Sequence, residues 1–129
     1  MKIKALIVGD DQTGNNLLKA ILEYEGIQSL EAGNGLEALE KLAKMEVDLI
    51  ISDAHMPAMN GFELISAIRK KEGLAHIKFI LYTATCTSPA TEASAYKLGV
   101  DRYVRKSGST QNITSAITQL IHEHEDTLV

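Results

Sequence analysis

A chain of 129 residues, 45% hydrophobic and 23% charged, can bury one core without staples and has the balance of a globular domain, which excludes a disordered or membrane-embedded chain. Its net charge of −4, with Lys and Arg scattered along the sequence, lacks the basic footprint of direct nucleic-acid binding, and no apolar run nears the roughly 20 residues that span a bilayer. Cys86, the only cysteine, allows no intrachain disulfide and reads as a small structural thiol; the N-terminus, Met1-Lys2-Ile3-Lys4, shows no signal-peptide cleavage site, so a cytoplasmic protein is predicted.

Five short runs rich in Ile, Leu and Val alternate with stretches of helical period, the pattern of repeated βα units around a parallel sheet. The first predicted strand, Ala5–Val8, is almost continuously apolar, as a strand covered on both faces should be. It runs into Val8-Gly9-Asp10-Asp11-Gln12-Thr13-Gly14-Asn15-Asn16, which has two readings. The hydroxyl and amide half could cradle a phosphate, as in flavodoxins; the acidic half could hold a metal cation. Leu17, Leu18, Ile21 and Leu22 then mark one face of a helix ended by Gly26, with Thr13, Asn15 and Asn16 as its capped first turn.

Gln28–Ala32 is the second strand, and Asn34 can cap a second helix carrying Leu36, Leu39 and Leu42. Leu49–Ser52 follows as a central strand. Asn60 caps a third helix with Leu64, Ile65 and Ile68 inward and Gly73 beyond its end. Phe79–Thr83 is the fourth strand, Ser88-Pro89 starts a fourth helix stopped by Gly99, and Arg102–Arg105 is the fifth strand. Ile113, Ala116, Ile117, Leu120 and Ile121 form the stripe of a fifth helix. His122 and His124 lie two apart, hence on different helix faces, and do not read as a metal pair. Residues 1–129 are expected to form one domain, with about 122–129 a tail or the start of a linker helix.

In an open α/β sheet ligands bind beyond the carboxyl ends of the strands. Strand one ends at Asp10 and Asp11, strand three at Asp53, strand four at Thr83 and strand five at Lys106. Carboxylates gathered at one edge call for a cation, and Mg²⁺ suits oxygen ligands of this kind; with Lys106 it would neutralise a phosphoryl group there. Asp10 and Asp11 would repel an incoming phosphate, and only 5% of residues are aromatic, with no Trp, so the flavin-phosphate reading is the weaker one.

Asp53-Ala54-His55-Met56-Pro57-Ala58-Met59-Asn60-Gly61, Ile80-Leu81-Tyr82-Thr83-Ala84 and Tyr103-Val104-Arg105-Lys106 resemble the motifs of the receiver (CheY-like) domains of two-component response regulators, over nearly the whole chain. That resemblance implies a single doubly wound five-stranded parallel sheet of order 2-1-3-4-5 with five helices. It implies that Asp53 takes a phosphoryl group from a phosphohistidine on a sensor histidine kinase or phosphotransfer protein. Asp10, Asp53 and the backbone carbonyl of His55 would hold Mg²⁺, Lys106 would pair with the phosphoryl oxygens, and the Thr83 hydroxyl and Ala84 N–H would donate to them. Thr83 and Tyr103 would form a switch, Tyr103 moving from an outward to an inward rotamer. The altered surface would be the fourth helix, fifth strand and fifth helix, including Ala90, Ala93, Ala95 and Tyr96, open to an output domain or a second copy. His55 and Thr85 would tune access of water to the acyl phosphate.

Two positions depart from the family pattern. Gly9 stands on the first of the usual two acidic positions, unless Asp11 substitutes, and Ser107 replaces the cis proline that usually follows the lysine. A trans Lys106-Ser107 bond is expected, because a non-proline cis peptide costs about 2.5–4 kcal/mol. The alternative reading is a degenerate receiver, a protein-interaction module that works without phosphorylation.

Overall fold

The branched apolar runs and the amphipathic stretches between them fold as alternating strands and helices. The computed structural model of the chain describes residues 3–84, 88–106 and 109–128, with side chains up to residue 123. The strands are β1 Lys4–Val8, β2 Gln28–Ala32, β3 Leu49–Ser52, β4 Lys78–Thr83 and β5 Arg102–Arg105; the helices are α1 Gln12–Tyr24, α2 Gly35–Leu42, α3 Gly61–Lys70, α4 Pro89–Leu98 and α5 Gln111–Leu128. All neighbouring strands pair in parallel, as the alternating pattern predicts, in the order β2-β1-β3-β4-β5 that the family resemblance implies.

Register aligns Leu6 with Ile50 and Phe79, and Ile7 with Ile51 and Ile80. Because side chains alternate along a strand, the first row faces one side of the sheet and the second the other. Leu6, Ile50, Phe79, Leu81 and Tyr103 are covered by Ala38, Leu42, Leu64, Ile65, Ile68 and Ala95 of α2, α3 and α4. Ile7, Ile51, Ile80, Tyr82 and Val104 are covered by Leu18, Leu22, Ile113, Ile117 and Leu120 of α1 and α5. Each fully buried Ile or Leu stabilises the fold by about 1.5–3 kcal/mol relative to its exposed state.

Helix ends follow the sequence signals where a short polar side chain precedes a free N–H. Asn34 Oδ1 accepts from the Glu37 N–H at 2.9 Å, Asn60 and Glu63 form a reciprocal capping box, and Ser88 Oγ accepts from the Thr91 N–H. Gly99 ends α4 at φ 109°, a left-handed conformation that costs a side chain energy, and Gly26 follows α1 at φ 77°.

Four expectations need correction. β1 and β4 each start one residue early, at lysines, because Asp48 ties both: its carboxylate accepts the Lys4 N–H and its carbonyl the Lys78 N–H. Leu17 and Leu36 are half exposed, since the buried faces run through Asn15, Leu18 and Leu22 in α1 and through Ala38 and Leu42 in α2. Thr13, Asn15 and Asn16 open α1 as expected, but the turn is not capped, because Asp11 at the N-cap makes no side-chain cap bond. Ala95 is fully buried and packs under α4 instead of belonging to its outer surface. Cys86, Thr85, Ser107 and Gly108 lie outside the described residues, as does the side chain of His124, so the trans Lys106-Ser107 bond, the Cys86 thiol and the Thr85 role are expectations only.

Candidate functional site

β1 and β3 are neighbours in the sheet, yet the helix after β1 covers one face and the helix after β3 covers the other. Their diverging connections open a crevice at the strands' carboxyl ends. Asp53 is the first residue beyond β3. Its N–H donates to the Val8 carbonyl at 2.9 Å, which prolongs the β1–β3 ladder, and its own carbonyl accepts from Ser52 Oγ at 2.8 Å. The backbone is therefore held on both sides while the carboxylate projects into the crevice.

The loop beyond Asp53 is held equally closely. The Gly61 N–H donates to the Ala54 carbonyl at 3.1 Å, and a Cβ at Gly61 would stand 2.4 Å from the Asp53 carbonyl. Only a glycine lets the capped start of α3 approach the site backbone this closely. The His55 N–H lies 3.5 Å from Asp53 Oδ1, at the limit of a hydrogen bond, and the His55 side chain is exposed.

Lys106 arrives from the other end of the sheet. Its N–H donates to the Thr83 carbonyl at 2.7 Å, extending the β4–β5 ladder, and its Nζ stands 3.4 Å from Asp53 Oδ2. Nζ also lies 5.3 Å from the centre of the Tyr82 ring, a cation–π contact over a phenol whose pKa is raised by burial. An ion pair at 3.4 Å is longer than a good charge-assisted bond, so a ligand oxygen can compete for the ammonium.

Asp10 and Asp11 are both exposed. A Cβ on Gly14 would lie 3.0 Å from Asp11 Oδ2 and 3.9 Å from Lys106 Nζ, so Asp11 and the lysine flank Gly14. Asp10 lies instead on the hollow beside Gly9 and Asn15. Thr83 is fully buried at the end of β4, and Ala84 next to it is exposed. Tyr103 is 8% exposed and belongs to the core cluster of Leu81, Ala95 and Val100. Its ring is thus already inward, against the expected outward starting position, in one cluster with the small Ala95.

Gln12 to Asn16 are the opening of α1 and form no phosphate-cradling loop. Among the described residues no three His, Cys, Asp or Glu side chains converge as a metal cage. Mg²⁺ needs none, since it takes one or two carboxylates and keeps several waters. Asp53 in the crevice and Asp10 on the adjoining hollow are two carboxylates, the number that such an ion takes.

Sequence reasoning missed Asn15, which is 8% exposed and donates from Nδ2 to the Gly9 carbonyl at 2.9 Å. The available signal was the glycine at a strand end six residues before an amide, a gap that a helix side chain can fill. It also missed Tyr82 beneath the lysine, visible only once Lys106 is known to fold back across β4.

Comparison with known proteins adds three likenesses and a family match. The family model described as response regulator receiver domain matches residues 5–118. The probable transcriptional regulator ycf29 of Pyropia yezoensis is 36% identical over 124 residues, 94% of this chain and 54% of that one, so the chain spans about half of that relative's length. The chemotaxis protein CheY of Halobacterium salinarum is 34% identical over 124 residues, 94% of this chain and 98% of that one. Among solved structures, the response regulator protein TrrA of Thermotoga maritima in complex with Mg²⁺-BeF is 35% identical at a TM-score of 0.81, covering 93% of this chain and 99% of that one.

Proposed function

Because the chain belongs to the response regulator receiver domain family, a family of regulatory modules, we propose that its signal is a phosphoryl group carried on Asp53. The observation that carries this reading is the Asp53 carboxylate at the β1/β3 crevice with Lys106 Nζ 3.4 Å away. An oxygen of Asp53 attacks phosphorus of a phosphohistidine on a histidine kinase or phosphotransfer protein. The P–N bond breaks, its electron pair returns to the imidazole, and an acyl phosphate forms.

Lys106 compensates the negative charge that gathers on the transferring group. It gives up its contact with Asp53 Oδ2 for one with a phosphoryl oxygen, while the backbone bonds of Asp53 and Lys106 keep nucleophile and ammonium in place. The Thr83 hydroxyl and the Ala84 N–H, at the neighbouring strand end, donate to the same oxygens. Mg²⁺, when bound at Asp10, Asp53 and the His55 carbonyl, supplies further charge neutralisation.

Acetyl phosphate with Mg²⁺ is expected to raise the intact mass of the protein by one phosphoryl group, and Asp53→Asn to abolish the increase with the fold intact. Asp48, whose carboxylate is engaged with the Lys4 N–H at the opposite sheet edge, is not expected to substitute. Gly9, which removes a carboxylate from the pocket, favours the degenerate receiver as second reading. Failure of the wild-type protein to gain the phosphoryl group would select it.

A further inference from the structure

The carboxylate missing at Gly9 leaves an opening, and another side chain reaches into it. We propose that the Asn15 carboxamide oxygen takes the place of that carboxylate, accepting a hydrogen bond from a water of the hydrated Mg²⁺; this rests on the reading that Asp10 and Asp53 hold the cation.

Three observations lead there. First, the Gly9 carbonyl can only accept, so the amide group that meets it at 2.9 Å is the Asn15 NH₂. The orientation of the carboxamide is thereby set, and Oδ1 points the other way. Second, Asn15 is 8% exposed, and no donor reaches its Oδ1 among the described residues. The side chain is largely buried, yet this oxygen is left free to accept from a water that reaches it. It is not sealed off, since the only buried side-chain polar atom closed to solvent and unpartnered among the described residues is the Tyr103 hydroxyl.

Third, Oδ1 faces the site. It stands 3.2 Å from where a Cβ of Gly9 would begin, and that point is 3.7 Å from Asp53 Cβ. Gly9, Asp10 and Asn15 line one open hollow of about 430 Å³ together with Glu31 and Glu37; Asp53 is not in its lining and adjoins it through Gly9. The volume admits a hydrated ion, and the acidic rim favours a cation over an anion. Mg²⁺ surrenders its waters reluctantly. A neutral oxygen that grips a metal-bound water therefore suits it, while contributing one negative charge less than the usual acid.

The competing role is a brace, in which Asn15 does no more than hold the Gly9 carbonyl through Nδ2. Charge separates the two. Asn15→Asp keeps an oxygen in the hollow and adds charge, but loses the NH₂; Asn15→Ala loses both. As an oxygen donor, Asn15→Ala is expected to weaken Mg²⁺ binding by about threefold to tenfold, the factor carried by one hydrogen bond, and Asn15→Asp to tighten it. As a brace, both substitutions weaken it.

Calorimetric titration of the unphosphorylated full chain with Mg²⁺ alone reads the affinities, and thermal melting without metal checks each fold. Should Asn15→Ala fail to fold, the near-isosteric Asn15→Asp decides alone by the sign of its effect. Unchanged affinity in Asn15→Ala, or weakened affinity in Asn15→Asp, overturns the role of Asn15 and leaves the Asp10 and Asp53 reading standing. Absence of Mg²⁺ binding by the wild-type chain overturns both.

Discussion

Tyr103 carries an unusual burden for a single residue. Its ring lies in the core, yet its hydroxyl is sealed without a partner among the described residues, and such a group costs about 1–3 kcal/mol in lost hydration. Its backbone is satisfied, because the N–H donates to the Tyr96 hydroxyl at 3.0 Å. Removing the phenolic oxygen is therefore expected to help: Tyr103→Phe should raise stability by about 1 kcal/mol, read from the midpoint of urea unfolding. A loss of stability on this substitution would mean that the hydroxyl is hydrogen-bonded in solution. Asn15 is the opposite case, since its open oxygen meets the hollow of the site and not the core.

Among the elements, α3 does most to hold the two ends of the sheet together. Its first turn is built on the Asp53 loop, and its last carries Arg69, whose guanidinium fastens two separate pieces of chain. Nε and Nη2 donate to the Gly99 carbonyl, Nη1 to the carbonyls of Ala75 and Ile77, and Nη2 also meets Asp101 Oδ2, which in turn accepts the Phe79 N–H. The α4–β5 turn and the entry to β4 are thus fastened to one helix end. Only a planar fork reaches all of these acceptors, so Arg69→Lys should lose most of what Arg69→Met loses. Because both charged groups are partly exposed, water offsets part of the loss, and about 2 kcal/mol is expected from equilibrium denaturation. A change of less than about 0.5 kcal/mol, the range of ordinary surface substitutions, would show that solvent replaces the clamp.

For the molecule as a whole, the question is how a charge at the crevice reaches a distant surface. Thr83, Leu81 and Tyr103 face the same side of the sheet, with Leu81 and Tyr103 directly paired and Thr83 one step along. Tyr96 is 44% exposed on α4 and bonded to the Tyr103 backbone, so the α4–β5–α5 face is one residue from the core tyrosine. A phosphoryl group on Asp53 would draw the Thr83 hydroxyl and disturb the packing of Tyr103, changing that face. In a cycle of Thr83→Ala and Tyr103→Ala, phosphorylation-dependent dimer or partner affinity is expected to show coupling of about 0.5–3 kcal/mol. Strict additivity would route the signal elsewhere. No helix among the described residues is long and apolar enough to cross a membrane.

The sequence by itself determined the order of elements, the parallel sheet, and the strand ends at which Asp53 and Lys106 meet, because alternation, helical period and capping residues are local properties written in short windows. The apolar runs of β1, β3 and β4 announced a doubly covered centre, and Asn34, Asn60, Ser88 and Gly99 marked helix boundaries where they fall. Only the tertiary structure decided which of several periodic residues point inward. It turned Leu17 and Leu36 to solvent, buried Ala95 and Tyr103, and set Asn15 into the space that Gly9 leaves. Those outcomes depend on how helices sit across the sheet and on volumes that neighbours from distant parts of the chain leave unfilled, and no local window of sequence carries that information.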